Sequence, residues 1–274
     1  MTGEAMAHFW EHTGSRLALA TYVALFFIFL LAPILIVVAV SFSSTSFVAF
    51  PPQGFSLKWY YRFFEYKPFI DSFIVSIEIA VLSAGLGALI GVPAALVLAR
   101  NQVPFANAIM AFLLAPLSVP LIVLGFALLF YLSRLGFGVS FSSLLIAHTV
   151  VSIPYIVRTV AGVYRGVAQE FEESAAILGA SRWQVFRHVT LPMIKPGILA
   201  GTLFAVLISV DNLPISYFFG SAATNTLPVV MLSYLENQFD PSVAAASTIQ
   251  LVLAVAGLVF LERAYGLQRI GTPN

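Results

Sequence analysis

Three ionisable side chains lie inside long apolar stretches of this 274-residue sequence: Glu78, His148 and Asp211. Within a membrane such a side chain costs about 2.5–3.5 kcal/mol on insertion scales, so each one requires a physical reason. One reason is a path for a cation, because carboxylates replace part of its lost hydration and aromatic faces add cation–π attraction. The candidate path residues are Glu78, Tyr155, Asp211, Asn212 and Tyr217.

Hydrogen bonding between helices is the alternative reason, since polar side chains also fix helix packing in membranes. We expect this packing role for His148. We favour the path for Asp211, because Asp211 and Asn212 lie close to Pro214, where helix backbone is opened. Both roles remain open for Glu78.

Motifs of enzyme chemistry are absent from the sequence. It has no Gly-rich phosphate loop followed by Lys and Ser or Thr, no convincing metal-ligand spacing and no nucleophile elbow. We therefore expect no catalytic residues, no metal and no cofactor bound by this chain, and hydrolysis of ATP would need a separate subunit.

A polar stretch, Glu170–Pro192, interrupts the apolar sequence two-thirds of the way along. Ser181 and Gln184 have the spacing of a capping box, so a helix is predicted to begin there. Gly179 suits the left-handed residue that ends a preceding helix. The second helix is predicted to stop near Leu191, because a residue before proline is disfavoured in the α region. The pattern predicts a helix–turn–helix between two spans, which we call the elbow.

The elbow resembles the EAA motif of bacterial ABC importer permeases, in which Glu-Ala-Ala, three residues, Gly and nine residues precede Ile-x-Leu-Pro. The pattern falls on Glu173, Ser174, Ala175, Gly179, Val189, Leu191 and Pro192. Ser174 replaces an Ala and Val189 an Ile, and both changes are small. The resemblance implies that the elbow docks on a cytoplasmic ATPase, with Glu173 as a docking charge and Gly179 as a hinge-like turn. The implied coupling residues are Glu172, Glu173, Ala175, Gly179, Ala180, Ser181, Leu191 and Pro192.

Two other interpretations of the elbow need no ATPase. Its apolar side chains would suit an amphipathic helix pair lying on lipid headgroups. These side chains are Phe171, Ala175, Leu178, Trp183 and Phe186. A DNA-reading helix–turn–helix is disfavoured by the mixed local charge and by the tether to membrane spans.

The composition excludes an ordinary soluble domain. Hydrophobic residues make up 60% and charged residues 9% of the chain, against about 25% charged residues in soluble proteins. The net charge of +1 gives no indication of nucleic acid as a partner, and there are no cysteines for disulfides or thiol metal sites. The first apolar run is too long for a signal-peptide core, so we interpret it as a retained span.

Apolar runs of about 20 residues predict an all-α polytopic membrane protein with about six transmembrane helices. The predicted spans are 17–40, 72–99, 107–133, 142–160, 197–219 and 244–261. The expected organisation is a cytoplasmic tail over 1–16, a transmembrane domain over 17–264 with a coupling loop over 166–196, and a cytoplasmic tail over 265–274. We expect Pro154 to break the fourth span and residues 220–241 to form a polar loop.

Glycines and aromatic residues predict further details of packing. Close helix contacts are expected at Gly85, Gly87 and Gly91 of the second span. An interfacial aromatic belt is expected at Trp59, Tyr60 and Tyr61.

Basic residues predict which side of the membrane each loop occupies. With both termini inside, nine Lys and Arg residues are cytoplasmic and four are outside, in agreement with the positive-inside rule. This orientation places the elbow in the cytoplasm. The inside residues are Arg16, Arg100, Arg158, Arg165, Arg182, Arg187, Lys195, Arg263 and Arg269.

Several segments resemble the spermidine/putrescine branch of these permeases: 116–125, 147–150, 153–158, 208–216 and 226–228. The resemblance implies a type I ABC importer permease of the bacterial inner membrane that carries a polyamine or related amine; the same importer class with another solute is the alternative. It also implies three kinds of partner: a second permease expected to be a distinct chain, two ATP-binding subunits that hold ATP and Mg, and an extracytoplasmic binding protein.

Two rival functions remain at this point. A stand-alone secondary transporter would use Glu78, His148 and Asp211 as a proton relay and would need no ATPase. A membrane scaffold would use the elbow only to recruit a cytoplasmic partner.

Overall fold

The computed structural model describes residues 3–100, 103–221 and 224–265, with side chains between Arg16 and Arg263, and the regular elements in these ranges are helical. The helices are α1 Gly3–Ser41, α2 Lys58–Glu65, α3 Lys67–Ala99, α4 Ala106–Leu114, α5 Leu121–Arg134, α6 Phe141–Arg165, α7 Glu170–Ile177, α8 Arg182–Val185, α9 Leu191–Val210, α10 Leu213–Phe218, α11 Leu227–Asn237 and α12 Ser242–Tyr265. A 3₁₀ turn covers Ala115–Leu117 and a π-helical turn covers Phe186–Thr190.

Five of the described helical stretches are long and apolar enough to span a membrane, and a bent pair of helices brings the number to six. The predicted all-α membrane fold is therefore confirmed. The bent pair is α4 with α5, which meet at 103°, so the stretch predicted as the third span, 107–133, is sharply bent in its middle. Pro116 lies in the 3₁₀ turn and Pro120 precedes α5. Two prolines in five residues remove backbone donors and disfavour the α region before each of them.

The fourth span is an unbroken helix, α6, in contrast to the predicted break at Pro154. It also continues to Arg165, beyond the predicted end. Ile156, Val157 and Val160 form a buried face of α6 in a core shared with α3 and α9. Packing against neighbouring helices accommodates a proline within a membrane helix, and here it keeps the helix continuous.

Small residues allow α3 and α9 to approach α6 closely. A Cβ built on Gly87 would lie 3.0 Å from Ile156 Cδ1, and one on Gly91 would lie 3.3 Å from Ile156 Cγ2. A Cβ on Gly201 of α9 would lie 3.1 Å from Ile156 Cα. The predicted contacts of Gly87 and Gly91 are confirmed. The one at Gly85 is wrong, because a Cβ there would meet nothing within 4 Å.

The predicted polar loop over 220–241 contains a helix, α11. Tyr234 of α11 is buried, with its ring centroid 4.9 Å from that of Phe69 and 5.5 Å from that of Tyr66. The backbone N–H of Leu227 donates to Ser76 Oγ at 2.8 Å. This segment is therefore packed on the first turns of α3 rather than being an open loop.

The described residues fall into two compact units, one within Met1–Glu65 and Gln238–Gln250, the other within Tyr66–Asn237 and Leu251–Asn274. In the first unit α1 already begins at Gly3, inside the segment predicted as a tail. Trp59 is buried there and donates to the Ser43 carbonyl at 2.8 Å. The predicted aromatic belt is therefore wrong for Trp59, whereas Tyr61 is exposed. The end of the predicted tail, 266–274 with Arg269, lies outside the described residues.

Candidate functional site

The elbow has the predicted turn and the predicted cap. Gly179 follows α7 with φ +87°, and the Ala180 N–H donates to the Ala175 carbonyl at 3.1 Å. The Ser181 N–H donates to Gln184 Oε1 at 2.7 Å, and the Gln184 N–H donates to Ser181 Oγ at 3.4 Å. These bonds satisfy backbone groups that the helix ends would otherwise leave unpaired. The local chain direction is thus fixed by residues of the elbow itself.

The predicted stop of the second helix at Leu191 and Pro192 is wrong. The chain continues through the π-helical turn Phe186–Thr190 directly into α9, with Pro192 in its first turn. The Leu191 N–H donates to the Phe186 carbonyl, five residues earlier. Pro192 lacks a backbone N–H, which is no loss in the first turn of a helix, where the N–H groups have no partner within the helix. The preceding π turn is wider than an α turn, so the carbonyls that would clash with the proline ring are displaced. The elbow is therefore continuous with the fifth span.

Four large apolar side chains of the elbow are exposed, and we call them the elbow patch. They are Phe171 (55% exposed), Ile177 (85%), Leu178 (88%) and Trp183 (64%). An exposed apolar group of this size on a monomer marks a surface for a partner or a membrane. The sequence had indicated three of these residues. It missed Ile177, which lies at the end of α7 beside the turn.

Adjacent glutamates of α7 have different surroundings. Glu173 is exposed and accepts a hydrogen bond from Gln169 Nε2 at 2.9 Å. Glu172 is half-buried, and its Oε1 accepts from Tyr164 Oη at 3.0 Å and from Thr190 Oγ1 at 2.5 Å. Glu173 is thus available to a partner, whereas Glu172 is held against the spans. Tyr164 and Thr190 were not among the predicted site residues, because neither gives a local signal of this contact in the sequence.

His148 is buried and joins three helices. Its Nδ1 lies 2.7 Å from Ser209 Oγ of α9, and its Nε2 lies 3.0 Å from Ser216 Oγ of α10. Ser83 of α3 donates to Ser209 Oγ at 3.3 Å. This chain of hydrogen bonds is the packing role expected for His148.

The backbone between α9 and α10 is opened at Asp211 and Asn212, as predicted. Helix α9 ends at Val210, and Asn212 caps α10 by accepting from the Ile215 N–H at 3.1 Å. Asn212 is buried, and its Nδ2 has no partner among the described residues. Asp211 and Tyr217 are exposed. Asp211, Asn212 and Tyr217, three of the candidate path residues, therefore lie at or just after the break between α9 and α10.

The other two candidate path residues lie on separate helices. Glu78 is exposed on α3 and Tyr155 is half-buried on α6. Among the described residues, no hydrogen bond or ion pair joins Glu78 or Asp211 to His148. The three ionisable groups do not form a connected relay, so the geometry does not favour the proton-coupled alternative.

Comparisons with known proteins find relatives among bacterial transport permeases. The spermidine/putrescine transport system permease protein PotC of Haemophilus influenzae is 31% identical over 85% of this chain and 91% of its own length. The molybdenum transport system permease protein ModB of Mycobacterium bovis is 35% identical over 69% of this chain and 76% of its own length.

A solved structure shows the same fold at low sequence identity. A chain from the crystal structure of the bacterial alginate ABC transporter in complex with alginate pentasaccharide-bound periplasmic protein is 16% identical to this one. In the complex the TM-score is 0.64, over 97% of this chain and 99% of that chain.

Residues 87–265 match the family described as binding-protein-dependent transport system inner membrane component. This range contains the whole elbow and the break between α9 and α10. Members of this family are membrane subunits whose ATPase is a separate chain. The chain belongs to this family and is an inner-membrane permease subunit of an ABC importer.

Proposed function

We propose that the elbow patch and Glu173 dock on the cytoplasmic ATPase of the importer. The observation that carries this is the exposure of Phe171, Ile177, Leu178 and Trp183 on a segment that continues into α9. Burial of such side chains supplies most of the free energy of protein association. Movement of the docked elbow then acts directly on the fifth span.

The proposed assembly contains a second permease encoded as a distinct chain, two ATP-binding subunits that hold ATP and Mg, and an extracytoplasmic binding protein. The transmembrane domain is 17–264, and both termini are cytoplasmic. The distribution of Lys and Arg supports this orientation. Closure of the ATPase dimer opens the path outward, and hydrolysis returns it to the inward-facing state.

The proposed substrate is a polyamine or a related amine. The name of the relative PotC supports this class. The exposed carboxylate of Asp211 also supports it, because a carboxylate replaces part of the hydration of an ammonium group, and Tyr217 offers an aromatic face close by in sequence. Glu78, Tyr155 and Asn212 complete the proposed path. The name of ModB shows that similar permeases serve systems for a different solute, so the substrate needs a direct test.

ATPase stimulation in the reconstituted complex tests both parts of the proposal. The complex is purified through this chain, reconstituted with its binding protein and supplied with putrescine, spermidine, an amino acid or molybdate. We expect stimulation by the polyamines and none by the other two solutes. Stimulation by molybdate or the amino acid would overturn the substrate, and a complex that contains no ATPase would overturn the docking.

A single substitution tests the path. Asp211→Asn removes the carboxylate while keeping the shape of the side chain, so transport of the polyamine should fall while basal ATPase activity persists. Glu236→Gln is the control, because Glu236 is an exposed acid of α11 outside the proposed path. Equal transport by both variants would exclude Asp211 from the path.

A further inference from the structure

Four side chains from separate segments meet at the base of the elbow, and we call them the Glu172 joint. Arg100 follows α3, Tyr164 lies in the last turn of α6, Glu172 lies in the first turn of α7, and Thr190 directly precedes α9. Tyr164 Oη and Thr190 Oγ1 both donate to the Glu172 carboxylate, at 3.0 and 2.5 Å. The joint thus links α7 to the ends of three helices that pack together.

Arg100 completes the joint from the end of α3. Its Nη2 lies 3.7 Å from Glu172 Oε2 and donates to the Val167 carbonyl at 3.0 Å. Its guanidinium carbon lies 4.4 Å from the centroid of the Tyr164 ring. The side chains of Arg100 and Glu172 are only 15% and 18% exposed, so water screens this pair less than a surface ion pair.

Apolar burial does not hold α7 on the spans. The helix has no buried residue, and its other described side-chain hydrogen bond is the local one between Gln169 and Glu173. Glu172 is therefore the α7 side chain that is bonded to the membrane helices within the described residues. A force on α7 can therefore reach α3 and α6 through this carboxylate as well as through the backbone and the π-helical turn.

The ion pair of the joint is not fully closed. A separation of 3.7 Å is longer than a hydrogen bond, and Arg100 Nε is buried with no acceptor in the described part of the chain. The Arg100 Nε–H is therefore available to donate to the Glu172 carboxylate if the two groups move closer together. A shift of about 1 Å between the two groups would reach hydrogen-bond distance, and a paired fork is the stronger geometry for arginine and carboxylate.

We propose that the Glu172 joint transmits movement of the elbow to α3, α6 and α9, and that its Arg100–Glu172 pair tightens when the ATPase pulls on the elbow. The proposal rests on the proposed docking of the elbow. In this scheme Glu173 faces the ATPase and Glu172 faces the spans. Glu172 is a positioning residue: it ensures that three helices move together when the docked elbow moves.

The test measures substrate transported per ATP hydrolysed in liposomes that contain the complex and its binding protein. The variants are Glu172→Gln, Thr190→Val and Tyr164→Phe, each of which removes a charge or one hydroxyl with little change in shape. Glu170→Gln is the matched control, because it removes the same charge from the same helix at an exposed residue outside the joint. Co-purified ATPase and its basal activity are measured for every variant.

We expect all four variants to retain the ATPase. Transport per ATP should fall about fivefold or more in Glu172→Gln, which is the range of coupling between two sites. Smaller losses are expected for Thr190→Val and Tyr164→Phe, and no loss for Glu170→Gln. Arg100→Lys should also lose coupling, because lysine keeps the charge but not the fork.

Two results would overturn the proposal. If Glu172→Gln lowers only the yield or thermal stability of the complex and leaves transport per ATP unchanged, the joint is merely structural. If Glu172→Gln loses the ATPase while Glu170→Gln retains it, Glu172 is a docking contact. Failure of the docking itself is distinguishable, because then the wild-type complex would contain no ATPase.

Discussion

Leu178→Ala is the most direct perturbation of the elbow patch. Leu178 is 88% exposed, so its replacement removes little packing from the permease itself. Alanine lacks three of the four side-chain carbons, and at ~0.8 kcal/mol per buried carbon this represents ~2.4 kcal/mol of docking free energy. A loss of this size corresponds to a Kd for the ATPase about 50-fold higher.

The assay is binding of the purified ATPase to the detergent-solubilised permease pair, followed by titration. Because detergent replaces the bilayer, this assay measures docking of the elbow on the ATPase without any contact between the elbow and lipid headgroups. Leu135→Ala is the control, because it makes the same change at an exposed residue of the loop between α5 and α6. Unchanged ATPase affinity in Leu178→Ala, with weaker binding to lipid vesicles, would refute docking and favour the headgroup interpretation.

Three further substitutions test the geometry around the site. Gly179→Pro should leave membrane insertion intact and abolish transport, since proline cannot adopt the φ of +87° at this turn; normal uptake by this variant would contradict the coupling role. Gly91→Val should reduce the yield and thermal stability of the complex, because Gly91 is tightly packed against Ile156. Gly85→Val should not, because a side chain there meets nothing within 4 Å. Equal losses in the two variants would contradict the described packing. His148→Gln should destabilise the complex by about 1 kcal/mol, the scale of a hydrogen bond between membrane helices, and retain transport; loss of transport in an assembled complex would revive the proton relay.

Periodic and local signals determined much of this protein from sequence alone. The apolar runs predicted the helical membrane fold, because within the bilayer a helix satisfies the backbone groups of a continuous apolar segment by itself. The capping box at Ser181 and the left-handed turn at Gly179 were predicted correctly, since each depends on side chains only a few residues apart. The opened backbone at Asp211 followed from the nearby proline in the same way.

Proline effects over longer distances were decided by tertiary packing. Pro154 leaves α6 continuous in a helix that packs against α3 and α9, and Pro192 is accommodated after a π turn. The pair Pro116 and Pro120, in contrast, bends the third span by 103°. The intrinsic effect of proline is similar at each position, so the result depends on neighbours that a local pattern does not contain.

The motif by itself identified the elbow and assigned Glu173 as its docking charge, but it did not indicate what Glu172 contacts. The tertiary structure separates them, because Glu172 meets Tyr164, Thr190 and Arg100, whereas Glu173 is exposed. Arg100 lies far from Glu172 in the sequence, and the two approach only because α3 and α6 end on the same side. Local sequence determines helices and turns through short-range bonds, whereas the partners of a charge depend on where distant helices end in space.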